Sequence, residues 1–208
     1  MSIDFRQAFQ RALPYAEFLQ KYATDDQRAR WKQVYDTTTL TPEQVELLKS
    51  FRRQMYVLCL SGPWCGDCVN ACPIFQRIAE QSPLIDLRFV NRRRDFDAAK
   101  CECKGIPSCE VAVANELSIC GAPRVPVLLF MSEDWFECQR YGERTLATYR
   151  EKARKQLAST QGASCPSGLF APEQELHAAN VAEWLTHFER VQWMLLTSPR
   201  LMKLHGEV

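Results

Sequence analysis

The chain has 208 residues, 46% of them apolar and 25% charged, the composition of a globular protein long enough to bury a core as one domain with extensions or two very small ones. Lys and Arg total 26 against 25 Asp and Glu, so a net charge of +1 offers no overall field for nucleic acid or an anionic membrane, and an aromatic share of 11% argues against disorder. No stretch approaches the roughly 20 apolar residues of a membrane span, and Asp4 and Arg6 interrupt any leader-like apolar run, so the expected compartment is the cytoplasm. Ten cysteines in a reducing compartment point to redox chemistry or metal rather than to a disulfide framework.

The first third reads as helix. Leu13-Pro14 breaks or kinks an early segment. Thr24-Asp25-Asp26-Gln27 has capping-box spacing ahead of 28–35, and Thr41-Pro42-Glu43-Gln44 repeats the signal with proline at the first helical position. Residues 55–60 are a short, almost wholly apolar run, which predicts a buried strand closed by Ser61-Gly62-Pro63. Helix follows over 65–81 and a second strand over 84–90, a strand–helix–strand unit with a connection long enough for a parallel crossover. A helical start at 95–99 gives way to a Gly- and Pro-containing loop over 100–109, and helix resumes over 110–117. Strands are predicted over 125–131 and 135–141, close enough for an antiparallel hairpin, then a helix over 144–157. Residues 162–168 read as a linker, and 172–196 as an amphipathic helix whose Leu185, Phe188, Val191 and Leu195 share one face that packs on the domain.

Trp64-Cys65-Gly66-Asp67-Cys68 sits where the first strand hands over to a helix. Two thiols separated by two residues close a small disulfide ring when the first helical turn holds them. Cys65 also faces the helix N-terminus, where unpaired N–H groups favour thiolate and predict a depressed pKa. The spacing also suits half of a structural zinc site, but a C-x-x-C beside a strand–helix–strand unit favours the redox reading.

This run resembles the active site of the thioredoxin family, usually Trp-Cys-Gly-Pro-Cys. Pro73, five residues after Cys68, stands where family members carry a helix-kinking proline, and Val125-Pro126-Val127 opens a strand as the family's cis-proline segment does. The family's element order is reproduced over about half of the chain, from 55 to 157. The resemblance implies an α/β fold, with a thioredoxin-like mixed central sheet flanked by helices and extra helices at both ends. We expect an N-terminal helical extension over 1–40, the thioredoxin-like domain over 41–158 with a cysteine-rich insertion near 101–109, and a linker and C-terminal helix over 159–208. It also implies that Cys65 attacks a substrate disulfide, Cys68 resolves the mixed disulfide, and Trp64, Val125 and cis-Pro126 shape the groove that holds substrate. No cofactor and no metal is expected on the chain itself. The expected partners are a disulfide-containing protein or small thiol substrate and a flavin- and NADPH-dependent reductase as electron donor, with neither nucleic acid nor membrane.

Three features depart from the family. Asp67 replaces its usual proline, and its carboxylate either opposes a thiolate or caps the helix. Cys59 stands six residues before Cys65, where thioredoxins often bury an aspartate. The insertion holds Cys101, Cys103 and Cys109, which read as a metal site, with Cys120 or another distant group as fourth ligand, as an auxiliary redox group or as plain thiols. Cys72 shares a helix face with Cys68 and reads as a packing residue or a competing resolving thiol. Arg92-Arg93-Arg94 and Arg124 read as a solvated run or as a receiver for an anionic ligand beside Cys65. Two readings therefore rival a disulfide reductase: a non-catalytic metal- or redox-sensing adaptor built on the insertion cysteines, and an enzyme acting on a small anionic thiol compound.

Overall fold

The computed structural model describes residues 3–93, 109–160 and 173–207. Cys101, Cys103, Arg94 and the linker over 162–168, with its Cys165, lie outside the described residues. Helices α1 (Phe5–Arg11) and α2 (Tyr15–Tyr22) are separated at Leu13-Pro14, as expected from the missing N–H of proline. Both capping boxes form: Thr24 and Gln27 exchange side-chain-to-backbone bonds ahead of α3 (Asp25–Thr37), and Thr41 and Gln44 do the same ahead of α4 (Pro42–Lys49).

The sheet has four strands in the order β2-β1-β3-β4. The apolar β1 (Met55–Ser61) lies inside, parallel to β2 (Ile85–Asn91) and antiparallel to β3 (Val127–Ser132), which pairs antiparallel with β4 (Glu137–Gly142). This is the mixed α/β sheet that the element order implied. Two strands start later than the apolar pattern predicts. Pro126 has no N–H to donate to a ladder, and pairing begins at Val127. Trp135 has φ +72° in the turn between β3 and β4, where it stacks on Tyr56 at 4.1 Å. The helix predicted over 65–81 is α5 (Gly66–Ala79), which retains Pro73 in its interior.

Helices from both ends of the chain complete the core. Leu13 pairs with Phe89 through two backbone bonds of 2.8 and 3.0 Å, covering the open edge of β2. Tyr15, Phe18 and Trp31 cluster on Phe89 with ring centroids 5.4–6.5 Å away. After α6 (Glu110–Glu116) and α7 (Leu146–Thr160) comes the long helix α8 (Glu173–Leu196). Its Leu185, Phe188, Val191 and Leu195 are buried, as their spacing predicts. Trp184 meets Phe75 of α5 edge-on at 4.6 Å, and Phe188 meets Phe130 of β3 at 5.1 Å. The buried Gln192 accepts from the backbone N–H groups of Arg52 and Arg53 and donates to the Arg53 carbonyl, tying α8 to the entrance of β1. A last helix, α9 (Pro199–Leu204), was not anticipated, although Ser198-Pro199 is a readable start: the serine hydroxyl accepts from the Leu201 N–H. No helix among the described residues is long and apolar enough to cross a membrane.

Candidate active site

The end of β1 delivers the chain into Gly62-Pro63-Trp64, a turn closed by the Cys65 N–H donating to the Gly62 carbonyl at 3.0 Å. This turn is held from two sides. The indole N–H of the fully buried Trp31 donates to the Pro63 carbonyl at 3.3 Å, and that of Trp64 donates to the Arg92 carbonyl at 3.2 Å. The Trp64 ring lies so close over Gly62 that a Cβ there would come within 2.6 Å of its nitrogen, so the turn needs glycine at this position.

Cys65 is the N-cap residue of α5 and is half-buried; Cys68, in the first turn, has no exposed surface. The Cys65 thiol donates to the Val125 carbonyl at 3.7 Å, and the Gly62 N–H donates to the Cys68 sulfur at 3.5 Å. The Val125–Pro126 bond is cis. The residues expected to form the site, Trp64, Cys65, Cys68, Val125 and Pro126, thus meet at the carboxyl end of β1. Gly142 completes the approach. A Cβ there would fall 2.5 Å from the Pro126 carbonyl, so only glycine lets β4 close over this segment.

The expected pKa depression at Cys65 does not hold for the reduced pair. Its hydrogen bond with Cys68, its burial and the Cys68 charge push the thiol up, and the backbone N–H groups of Cys68 and Asp67 pull the other way without prevailing. Burial dominates at Cys68 and raises it well above the usual thiol range. Asp67 neither caps the helix nor stands as a free charge. Arg144 grips it with two bonds, Nε to Oδ1 at 2.9 Å and Nη2 to Oδ2 at 2.5 Å. The same guanidinium donates to the buried Glu143 at 2.7 Å, and Glu143 also accepts from Arg124 and from the Tyr149 hydroxyl at 3.0 Å. Charge alternates from the Val125-Pro126 segment through Arg124, Glu143 and Arg144 to Asp67, so the carboxylate beside Cys65 is neutralised by a network rather than by solvent.

Arg92 lies over the Trp64 ring at 5.1 Å, and Arg124 is committed to Glu143, so neither is a loose basic tail beside the thiols. Cys109 uses its sulfur as the N-cap acceptor of α6, 3.3 Å from the Ala112 N–H. No group of three His, Cys, Asp or Glu side chains among the described residues is arranged to hold a metal. Cys59 and Cys72 are fully buried, with sulfurs 3.9 Å apart, and Ser61 Oγ lies 3.3 Å from Cys72 Sγ. Burial raises both thiols. Glu143, Arg144 and Tyr149 escaped the sequence reading because no local motif marks them. The available signal was Asp67 itself, since a carboxylate in the first turn beside a reactive thiol calls for a cation from elsewhere.

Residues 12–154 match the family described as thioredoxin, and the chain belongs to that family. Its backbone is similar to a Pseudomonas aeruginosa protein of unknown function solved at 1.5 Å, with a TM-score of 0.60 and 17% identity, covering 92% of this chain and 99% of that one. It is also similar to an HIV epitope-scaffold, with a TM-score of 0.62 and 14% identity, covering 90% of this chain and 96% of that one. At these identities the likeness is one of fold. Nothing among curated proteins matches the chain by sequence.

Proposed function

We propose that the protein is a thiol–disulfide oxidoreductase that reduces a protein or small-molecule disulfide with the Cys65–Cys68 dithiol. One observation carries the reading: the partly buried Cys65 sits at the start of α5, its sulfur 3.7 Å from the Val125 carbonyl, with the fully buried Cys68 one turn along. Cys65, as thiolate, attacks one sulfur of the substrate disulfide, and the first substrate thiol leaves with a proton. Cys68 then gives up its proton and attacks Cys65 Sγ, releasing the second substrate thiol. The Gly62 N–H, already directed at Cys68 Sγ, stabilises the charge that develops there. The net reaction turns one disulfide and two protein thiols into two substrate thiols and a Cys65–Cys68 disulfide. Continued turnover needs an electron donor, and by family resemblance that is a separate reductase. The backbone of Val125 aligns an extended substrate beside Cys65, as strand addition does. With dithiothreitol as electron source, the protein should accelerate reduction of insulin disulfides and Cys65→Ser should abolish the effect. A Cys65→Ser protein as fast as wild type would overturn the reading.

A further inference from the structure

The two buried thiols behind the site have no part in that reaction. Cys59 occupies the centre of β1 and Cys72 the second turn of α5, and neither has any exposed surface. Their sulfurs are 3.9 Å apart, which is van der Waals contact between sulfurs, and a disulfide between them needs a closure of about 2 Å. Cys72 is also one helical turn from Cys68 on the same face, and helix positions four apart place their Cβ atoms about 5–6 Å from one another. The Ser61 hydroxyl is buried between these groups, 3.3 Å from Cys72 Sγ, and it stabilises the thiolate of Cys68 as well as that of Cys72. Four sulfurs therefore run inward without interruption, from Cys65 at the surface through Cys68 and Cys72 to Cys59. Simple packing accounts for one small buried residue on β1 or on α5, but it does not require thiols on both elements, in contact with each other and beside an enclosed hydroxyl.

We propose that Cys59 and Cys72 form a second, buried dithiol that exchanges with the Cys65–Cys68 pair, so that the domain stores four reducing electrons rather than two. The proposal rests on the reductase reading. After a substrate has been reduced and the Cys65–Cys68 disulfide has formed, Cys72 attacks Cys68 Sγ. The Cys65–Cys68 bond breaks, a Cys68–Cys72 bond forms, and the proton of Cys72 passes to Cys65. Cys59 then attacks Cys72 Sγ, the Cys68–Cys72 bond breaks, and the proton of Cys59 passes to Cys68. The products are a Cys59–Cys72 disulfide and a regenerated Cys65–Cys68 dithiol, with no electrons gained or lost and the substrate disulfide as sole oxidant. The protein then reduces a second disulfide before it needs its electron donor.

The sequence supplies a convenient readout, because all four cysteines fall between Arg53 and Arg77 on one tryptic peptide with no other Lys or Arg. The reduced full-length protein is equilibrated with glutathione buffers of increasing oxidation, quenched in acid, alkylated under denaturing conditions and digested. The mass of peptide 54–77 then counts its free thiols. The expected course is four alkylations, then two, then none, with the last disulfide mapped to Cys59–Cys72 after reversal of the surface pair. Cys65→Ser removes the entry point, and formation of the Cys59–Cys72 bond should slow at least tenfold. The inference is overturned if alkylation stops at two, on Cys59 and Cys72, where Cys65–Cys68 is fully oxidised. It is equally overturned if Cys65→Ser forms the buried disulfide at the wild-type rate. The first result, with insulin reduction intact, leaves the reductase standing; absence of a Cys65–Cys68 disulfide together with no insulin reduction removes both.

Discussion

Replacing Arg144 with alanine separates the charge of Asp67 from its compensation. In the wild type the Arg144 side chain is only 12% exposed and Asp67 28%, so solvent is a poor substitute for the lost guanidinium. A unit negative charge about 6 Å from a sulfur, through an effective dielectric of about 20–40, disfavours the thiolate by about 1.4–2.8 kcal/mol. That is about one to two pKa units, or a ten- to hundredfold loss of reactive thiolate near neutral pH. The rate of iodoacetamide alkylation at Cys65, followed across pH by the mass of its peptide, should fall by that factor in Arg144→Ala. Adding Asp67→Asn should return it close to wild type. The stability cost should be about 1–3 kcal/mol in urea unfolding, less than for a fully enclosed pair because Asp67 keeps some water. Alkylation within twofold of wild type in Arg144→Ala, or no recovery in the double variant, would refute the role assigned to this ion pair.

Cys68→Ser should accumulate a mixed disulfide between Cys65 and the substrate, detectable as a covalent adduct by mass under non-reducing conditions; multiple turnovers at the wild-type rate would show that another thiol resolves it. Trp184→Ala should cost about 3–5 kcal/mol in urea unfolding, because the indole is buried against Phe75, Tyr141 and His187; a loss below about 1 kcal/mol would mean that α8 does not hold the core. His187 lies against the Tyr141 ring and within 2.7 Å of Gln139 Nε2, and burial holds its pKa, like that of His177, below the usual 6.5. The unfolded chain then binds more protons than the folded one below about pH 6.5, so this contribution to stability is complete above that pH and is lost as pH falls toward the folded pKa. The urea midpoint should decline on going from pH 7.5 to 5, with a shallower decline in His187→Gln; identical slopes would exclude the histidine as a cause.

Short-range physics made the sheet and the thiols legible. An apolar hexad at 55–60, two capping boxes and a C-x-x-C after a strand each act within a few residues, and each appears in place. Pro126 and Trp135 show where such patterns overreach, since apolar character extended both strands past the points where backbone conformation or a missing donor stops the pairing. The charge network was illegible because its two ends are distant in sequence: Asp67 in the first turn of α5 meets Arg144 in the segment after β4, and no spacing rule reaches across 77 positions. The expected low pKa of Cys65 failed for a related reason. The helix start acts through local N–H groups, whereas burial and the partner sulfur depend on what the completed fold places around the thiol.

The grip of Gln192 on Arg52 and Arg53 joins positions 139 and 140 residues apart, at the threshold of the central strand. During synthesis, the C-x-x-C segment leaves the ribosome well before the glutamine that binds the entrance to β1 has been made. A nascent chain therefore carries all its site cysteines while their sheet still lacks this anchor, and the thiols that end up sealed are open to oxidants during that interval. Wrong pairings made then would be enclosed when α8 docks. Ending the chain after residue 154 keeps every cysteine of the site and makes that interval permanent: two backbone N–H groups lose their acceptor, and the apolar face beneath α8 stays open to other unfinished chains.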